Sequence, residues 1–228
     1  MEQRNFDGPM IINPNESHMA LAIMADISGS MEDRMGELNE GINRFLSEVC
    51  RDEQTRNILD VAIVPFNDTY SDGQEFAPVE YVEPVNLTAS GGTVISPAIN
   101  TVLDMLNERS RFYYRSGAKP YKPWVLFITD GKPNDNIDAI TRRIKEMEEN
   151  GKVSFRSLGV EGYNSDILHK LSGPKVMRLE GTDFTNFFDW VHKSIRTMSE
   201  KSPEEKQESV DLTGNVKVDL ERKTGHWN

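Results

Sequence analysis

Long apolar runs alternate with amphipathic segments over most of this chain. Met19–Ala25, Leu59–Phe66 and Trp124–Thr129 are nearly continuous apolar runs, a pattern typical of strands that are buried on both faces of a sheet. Val153–Val160 alternates apolar with polar residues and Val176–Leu179 is short and mostly apolar, so two further strands are predicted there. The pattern predicts strands throughout the chain rather than in one half of it.

Between these runs, apolar residues recur at spacings of three and four, which predicts amphipathic helices. The clearest such stripe consists of Met31, Met35, Leu38, Ile42, Phe45, Leu46 and Val49. Further helices are predicted from Ser96 to about Leu106, around Ile140, Ile144 and Met147, over Asp166–Leu171, and over Asp183–Thr197. Because strands and helices alternate, the sequence predicts a doubly wound α/β fold: a mostly parallel sheet with helices on both faces.

Composition divides the chain into three parts. Residues 1–18 are polar and contain two prolines, which predicts a leader before the first strand. Residues 19–199 carry the alternating pattern and are predicted to form one domain. Residues 200–228 are mostly charged and polar, so we expect a tail that buries little and pairs at most transiently through 210–212 and 216–218.

Charge and cysteine content narrow the classes of function. The 228-residue chain has a formal net charge of −11, which argues against general binding to nucleic acid or to an anionic membrane. No apolar run has the length of a membrane span, and no charged-then-apolar signal pattern begins the sequence. The single cysteine, Cys50, excludes an intrachain disulfide. Together these features favour a cytoplasmic protein that binds neither nucleic acid nor membrane.

Three polar turns stand out beside the predicted strands and helices. Asp26-Ile27-Ser28-Gly29-Ser30 follows the first strand, Gly91-Gly92-Thr93 precedes a helix, and Thr129-Asp130-Gly131 ends the most apolar strand. Their carboxylates and hydroxyls are hard oxygen donors, which suit Mg²⁺ or Mn²⁺ better than zinc or copper. The simpler alternative is helix capping by the two serines, since Ser30-x-x-Asp33 fits a capping box.

The predicted topology favours the metal interpretation. Carboxyl ends of neighbouring parallel strands meet at one edge of a doubly wound sheet, so side chains from the three turns can meet there. Two carboxylates offset one divalent cation, while neutral hydroxyls add donors without further charge. The predicted metal ligands are Asp26, Ser28, Ser30, Thr93 and Asp130.

These turns resemble the metal-ion-dependent adhesion site of the von Willebrand factor A family, and the resemblance covers about residues 19–199. The family implies a six-stranded sheet with one antiparallel edge strand, for which the proline-containing, alternating segment Ala77–Val85 is the candidate. It also implies Mg²⁺, with Mn²⁺ or Ca²⁺ as alternatives, held by the five residues above. The chain is most similar to stand-alone bacterial proteins of the tellurium-resistance TerY type, through Gly91-Gly92-Thr93, Tyr121–Pro133 and Phe184–Trp190.

The resemblance implies a monomeric, non-enzymatic module in which a partner's Asp or Glu completes the coordination of the metal. TerY-type proteins are associated with a Ser/Thr kinase and a PP2C-type phosphatase, so these are the expected partners, in stress or tellurite-resistance signalling. The alternative is a Mg²⁺-dependent phosphohydrolase of haloacid-dehalogenase type. Such enzymes need Asp-x-Asp after the strand, whereas Ser28 occupies the second position here.

A basic and aromatic stretch from Arg109 to Lys122 has no clear period. We predict an irregular insertion that flanks the binding edge and contributes to the choice of partner. Its aromatic residues, among them Phe112 and Tyr114, would also suit stacking on single-stranded nucleic acid, an alternative that the acidity of the chain disfavours.

Overall fold

The computed structural model describes residues 15–68, 73–131, 133–205 and 210–219. Most of the predicted leader and much of the predicted tail therefore lie outside the described residues. The strands are β1 (Met19–Asp26), β2 (Leu59–Phe66), β3 (Gln74–Pro78), β4 (Trp124–Thr129), β5 (Ser154–Gly159), β6 (Val176–Leu179) and β7 (Val216–Val218).

Within the described ranges these seven strands form one sheet in the order β3-β2-β1-β4-β5-β6-β7. The five inner strands are parallel to one another, while β3 and β7 pair antiparallel at the two edges. The predicted doubly wound, mostly parallel α/β fold is therefore confirmed. The strand count differs from the expected six, because part of the segment predicted as a polar tail adds β7 beside β6.

Helices cover both faces of the sheet. They are α1 (Met35–Arg51), α2 (Glu53–Arg56), α3 (Ser96–Arg115), α4 (Asp138–Glu149), α5 (Ser165–Ser172) and α6 (Thr185–Ser199), with 3₁₀ turns over Gly29–Arg34, Val79–Tyr81 and Gly173–Lys175. None of the helices among the described residues is long and apolar enough to cross a membrane.

The core consists of two apolar layers, one on each face of the sheet. Side chains of β1 alternate between them: Leu21 and Ile23 pack with α1 and α6, whereas Ala22 and Met24 pack with α3, α4 and α5. All eight residues of β1 are buried, which explains the unbroken apolar run of the first strand. Burial on both faces fixes where β1 ends, and thus where its terminal Asp26 lies.

The antiparallel edge strand lies earlier than predicted. It covers Gln74–Pro78 instead of Ala77–Val85 and passes directly into a 3₁₀ turn. Beyond that turn, the backbone of Val85 pairs with the side-chain amide of Asn43, which both accepts and donates at 2.8 Å. Since α1 supplies these hydrogen bonds, the alternating segment runs along a helix and does not continue as a strand.

The prediction of an irregular loop beginning at Arg109 is wrong. The helix α3 continues to Arg115, and both Arg109 and Tyr113 are buried within it. Arg109 Nε and Nη2 donate to Asp60 Oδ2 at 3.1 and 2.7 Å, and the Tyr113 hydroxyl donates to the same oxygen. Asp60 is the second residue of β2, so this cluster lies at the amino edge of the sheet, away from the predicted site.

The end of the described chain crosses α6 before it forms β7. Trp190 Nε1 donates to the Val210 carbonyl at 2.8 Å, and Val210 N donates to Ser194 Oγ at 3.2 Å. Farther along, Asn215 and Glu180 exchange hydrogen bonds of 2.8 and 3.0 Å. This segment therefore holds α6 against the sheet, a role that its polar composition did not indicate.

Candidate metal centre

The three polar turns predicted from the sequence lie together at the carboxyl edge of the sheet. β1 ends at Asp26 and its neighbour β4 ends at Thr129, and Thr129 Oγ1 donates a 2.5 Å hydrogen bond to Asp26 Oδ2. Gly29 N donates to the Gly91 carbonyl at 3.0 Å, so the loop before α3 contacts the turn after β1. Parallel pairing of β1 with β4 thus brings the first and third turns together.

In the turn after β1, the backbone folds around the carboxylate of Asp26. Ser28 N donates to Asp26 Oδ1 at 2.8 Å, and the hydroxyls of Ser28 and Ser30 lie 3.2 Å apart. Asp26 and Ser28 are buried, whereas Ser30 is exposed. Ser28 makes no capping hydrogen bond with its side chain, and the residue at the N-cap of α1 is Arg34. The described contacts therefore give these serines no capping role.

The loop before α3 is held by the loop after β4. The buried Thr93 accepts a 2.8 Å hydrogen bond at its carbonyl from Asn134 N. Asp135 accepts from Ile95 N and Ser96 N at 3.0 and 2.9 Å. Although partial burial opposes ionisation, the hydrogen bonds hold the pKa of Asp135 below its ordinary value. Asp135 thus caps the N-terminus of α3, and together with Asn134 it ties the loop that carries Thr93 to the loop after β4.

Asp130 is the least satisfied acid of the group. Its side chain is 3% exposed, and its Oδ1 has no hydrogen-bond partner in the part of the chain that the structure describes. The following Gly131 has a φ of +66° and donates from its N to Thr129 Oγ1 at 2.8 Å. A Cβ at Gly131 would lie 3.1 Å from Asn164 N, so this tight turn favours glycine.

Two buried carboxylates therefore share this edge. Burial raises the pKa of Asp26 above its ordinary value; hydrogen bonds from Ser28 and Thr129 oppose the rise, and the charge of Asp130 adds to it. Burying like charges together is unfavourable unless a cation balances them. The unpartnered Asp130 Oδ1 beside carboxylate and hydroxyl oxygens fits a hard divalent cation such as Mg²⁺.

The donor set does not suit a softer metal. Among the described residues, no group of three or more His, Cys, Asp and Glu side chains is arranged to hold a metal ion. The candidate centre instead combines two carboxylates with the hydroxyls of Ser28, Ser30 and Thr93. Zinc sites use thiolate, imidazole and carboxylate ligands, so the oxygen-only set favours Mg²⁺ or Mn²⁺.

Sequence reasoning missed two residues that border the centre. Asp68 packs on the loop before α3 so closely that a Cβ at Gly91 would lie 2.3 Å from Asp68 Oδ1. Arg34 donates from Nη1 to the Ser30 carbonyl at 3.2 Å and from Nη2 to the Glu161 carbonyl at 3.4 Å. Asp68 follows the end of β2, a position that could have indicated it. The hydrogen bond from Arg34 to Glu161 joins residues 127 positions apart, and nothing in the sequence around either residue indicates that contact.

Comparison with known proteins supports the fold. No family profile and no curated protein sequence matches the chain. The pilus adhesin SpaC from Lactobacillus rhamnosus GG is similar over 79% of this chain and 30% of its own, with a TM-score of 0.65 and 15% identity. The vWF domain of the pilus tip protein Mfa5 from Porphyromonas gingivalis is similar over 82% of this chain and 97% of its own, with a TM-score of 0.60 and 8% identity.

A third similar structure is VWA2, a paralog of ArnB from Sulfolobus acidocaldarius, with a TM-score of 0.53 and 17% identity over 78% of this chain and 45% of its own. The chain spans about a third of the length of SpaC and under half that of VWA2. Identities this low show the fold alone. The chain has a von Willebrand factor A fold.

Proposed function

We propose that this chain is a metal-dependent protein-interaction module whose cation is completed by an Asp or Glu of a partner. The observation that carries the proposal is the buried, unpartnered Oδ1 of Asp130 at the edge where Asp26 is also buried. The similarity to a pilus adhesin and a pilus tip domain supports an interaction role. The proposed ligands of one Mg²⁺ are Asp26, Ser28, Ser30, Thr93 and Asp130.

An open coordination position on the cation, rather than its net charge, would let a partner carboxylate bind. When bound, the cation supplies a position for an oxygen ligand. Asp26 and Asp130 together offset its two positive charges, and the hydroxyls are neutral. The backbone N of Ser28 and the hydroxyl of Thr129 fix the orientation of Asp26 before any partner arrives. A carboxylate from the partner then adds a charge-assisted contact that depends on the metal.

Binding rather than catalysis is the function that the surrounding residues favour. A haloacid-dehalogenase-type enzyme needs a second carboxylate two residues after the first, and the buried Ser28 stands there. The described histidines contact other regions: His18 stacks on Tyr113, His169 contacts Asp219, and His192 contacts Asp52. We therefore expect no Mg²⁺-dependent hydrolysis of p-nitrophenyl phosphate; sustained turnover would favour the phosphohydrolase alternative.

The finer assignment rests on the resemblance to TerY-type proteins of Gly91-Gly92-Thr93, Tyr121–Pro133 and Phe184–Trp190. According to this assignment, the chain is a cytoplasmic monomer whose partners are a Ser/Thr kinase and a PP2C-type phosphatase. Its role would be in stress or tellurite resistance. Mn²⁺ and Ca²⁺ are the alternative ions. Co-purification of such a kinase or phosphatase with the chain in Mg²⁺, and its release by EDTA, would support this assignment.

Calorimetric titration with Mg²⁺ and Mn²⁺ tests the metal centre directly. We expect one ion to bind the unmodified chain and affinity to fall at least tenfold in Asp130→Asn and in Ser28→Ala. Asp138→Asn is the matched control, because Asp138 is an exposed acid at the start of α4. Undiminished binding in Asp130→Asn would contradict the proposal, as would equal losses in Asp130→Asn and the control.

A further inference from the structure

Four exposed acidic side chains lie on loops next to the candidate metal centre. Glu32 and Asp33 are exposed in the 3₁₀ turn Gly29–Arg34, directly after Ser30. Asp68 and Glu161 are also exposed and lie on two further loops at this edge. We call these four residues the acidic rim.

Contacts place the last two members of the acidic rim against the turns of the centre. Asp68 packs on the loop that leads to Thr93, since a Cβ at Gly92 would lie 3.4 Å from Asp68 Oδ2. Glu161 Oε2 lies 3.6 Å from Nη2 of Arg34, whose Nη1 donates to the Ser30 carbonyl. The four carboxylates therefore come from three different loops at the carboxyl edge of the sheet.

Positive charge beside the turns of the centre is scarcer than negative charge. Arg34 is the cation that the described contacts place against those turns, and its guanidinium is 3.6 Å from Glu161. Lys132 follows the Thr-Asp-Gly turn but lies outside the described residues. Even with Lys132 included, the four carboxylates of the acidic rim outnumber the two cations. Because Asp26 and Asp130 are already offset by the metal, an incoming carboxylate meets a net negative field.

We propose that the partner segment carries Lys or Arg side chains next to its coordinating Asp or Glu, and that the acidic rim binds them. This inference rests on the proposed function, and the buried, unpartnered Asp130 Oδ1 is its independent sign of a ligand at the centre. The metal binds the partner's carboxylate, while the acidic rim favours partners with basic residues beside that carboxylate. Complementary charges act mainly on specificity and association rate.

The expected selectivity is modest and depends on salt. Exposed charges about 10 Å apart are weakened by both water and physiological salt, so four carboxylates should change affinity by roughly two- to tenfold in total. A segment with basic flanks should lose affinity as salt rises. A segment with neutral flanks should gain slightly, since salt screens its repulsion by the acidic rim.

Selection from a phage-displayed random peptide library tests the inference. The full chain is immobilised in Mg²⁺, bound phage are eluted with EDTA, and the eluted peptides are sequenced. The test variants are Glu32→Lys/Asp33→Lys and the neutral Glu32→Gln/Asp33→Gln. The charge-matched control is Glu146→Lys/Glu200→Lys, because both residues are exposed near the ends of α4 and α6, at the opposite edge of the sheet.

With the unmodified chain and the control, we expect Asp or Glu flanked within about four residues by Lys or Arg, at least twofold above the library frequency. The enrichment of basic flanks should fall in the neutral variant and reverse to acidic flanks in the lysine variant. Acidic peptides without basic enrichment, or the same enrichment in all four proteins, would overturn the inference and leave the proposed function standing. EDTA eluates without enriched Asp or Glu would overturn both.

Discussion

Replacing Asp130 with Asn should stabilise the metal-free protein and remove its response to Mg²⁺. The substitution keeps the shape of the side chain but removes its charge. Asp130 is 3% exposed and its Oδ1 lacks a partner among the described residues. Burial raises the pKa of the neighbouring Asp26, and the charge of Asp130 adds to that rise. Without metal, the charge of Asp130 therefore destabilises the folded protein. With metal, the same carboxylate is a proposed ligand of the cation. The two conditions should give effects of opposite sign.

The magnitude follows from burial. Leaving a buried polar group without a partner costs about 1–3 kcal/mol, and a charged group costs more. Asn keeps an unpartnered polar group there, so Asp130→Asn recovers only the excess due to the charge, on the order of 1 kcal/mol. Since 1 kcal/mol shifts Tm by about 2–4 °C in a chain of this size, Asp130→Asn should melt about 2–4 °C above the unmodified protein in EDTA. Mg²⁺ at a hundred times its Kd should stabilise the unmodified protein by about 2.7 kcal/mol, which raises its Tm by roughly 5–11 °C.

Differential scanning calorimetry in EDTA and in excess MgCl₂ measures both effects. We expect Asp130→Asn to have the higher Tm in EDTA and to show little rise in Tm with Mg²⁺. The unmodified protein and Asp138→Asn should both show the full rise in Tm with Mg²⁺. A variant that melts below the unmodified protein in EDTA would refute the view that the Asp130 charge is unbalanced. Equal Mg²⁺ increments in both proteins would refute its role as a ligand.

Three further predictions concern residues outside the proposed ligand set. Asp60→Ala should lower the free energy of unfolding by about 3–5 kcal/mol in urea titrations, because it removes the buried carboxylate that pairs with the Arg109 guanidinium, yet leave Mg²⁺ affinity unchanged. Arg34→Gln should weaken Mg²⁺ binding about tenfold by calorimetry, since it removes the bridge from the first turn to the β5–α5 loop. Partial burial opposes ionisation of Asp52, but His192 and Arg196 hold its pKa below the ordinary value. The lowered pKa contributes stability that is fully present above the ordinary carboxyl pKa and is lost as the pH falls through the folded-state pKa. Acidification from about pH 5 to pH 2 should therefore lower the free energy of unfolding more in the unmodified protein than in Asp52→Asn.

Elements buried on both faces were the ones that the sequence predicted well. The bounds of β2 and β4 match the apolar runs residue for residue, because every position in these two strands is buried. Those of β6 match as well, although its Arg178 is exposed. The edge strands were predicted less well: Gln74–Pro78 was placed too late, at Ala77–Val85, and Val216–Val218 was expected to pair only transiently. An edge strand is held largely by backbone pairing with one neighbour, so its side chains need not show a strand-like pattern.

Helix α3 illustrates a different failure of the pattern. Its apolar stripe fades after Leu106, but the helix continues because Arg109 is buried against Asp60, a lone charge within the apolar run of β2. A charged residue inside a buried strand requires a partner, so Asp60 itself was the available signal. What the sequence could not supply was the identity of that partner, 49 residues away.

The candidate site was predicted to the extent that residue type and strand ends determine it. Asp26 and Thr129 meet because they end neighbouring parallel strands. The alternation of elements predicted a parallel sheet, but the structure was needed to show that β1 and β4 are neighbours. Asp68 and Arg34 border the site through contacts between loops, whose paths depend on tertiary packing. Their positions became apparent only in the structure, and with them the acidic rim.

The buried acids at the two edges of the sheet differ in their hydrogen-bond and ion-pair partners. At the amino edge, the carboxylate of Asp60 is matched by a guanidinium and a hydroxyl from α3. At the carboxyl edge, Asp130 is buried as deeply, yet one of its oxygens has no partner within the described ranges. Because the same fold builds a complete ion pair at one edge, the unmatched acid at the other is not imposed by the architecture. A buried carboxylate lying beside a second carboxylate and three hydroxyl-bearing residues has a physical rationale if a divalent cation, supplied from solution, is its missing partner.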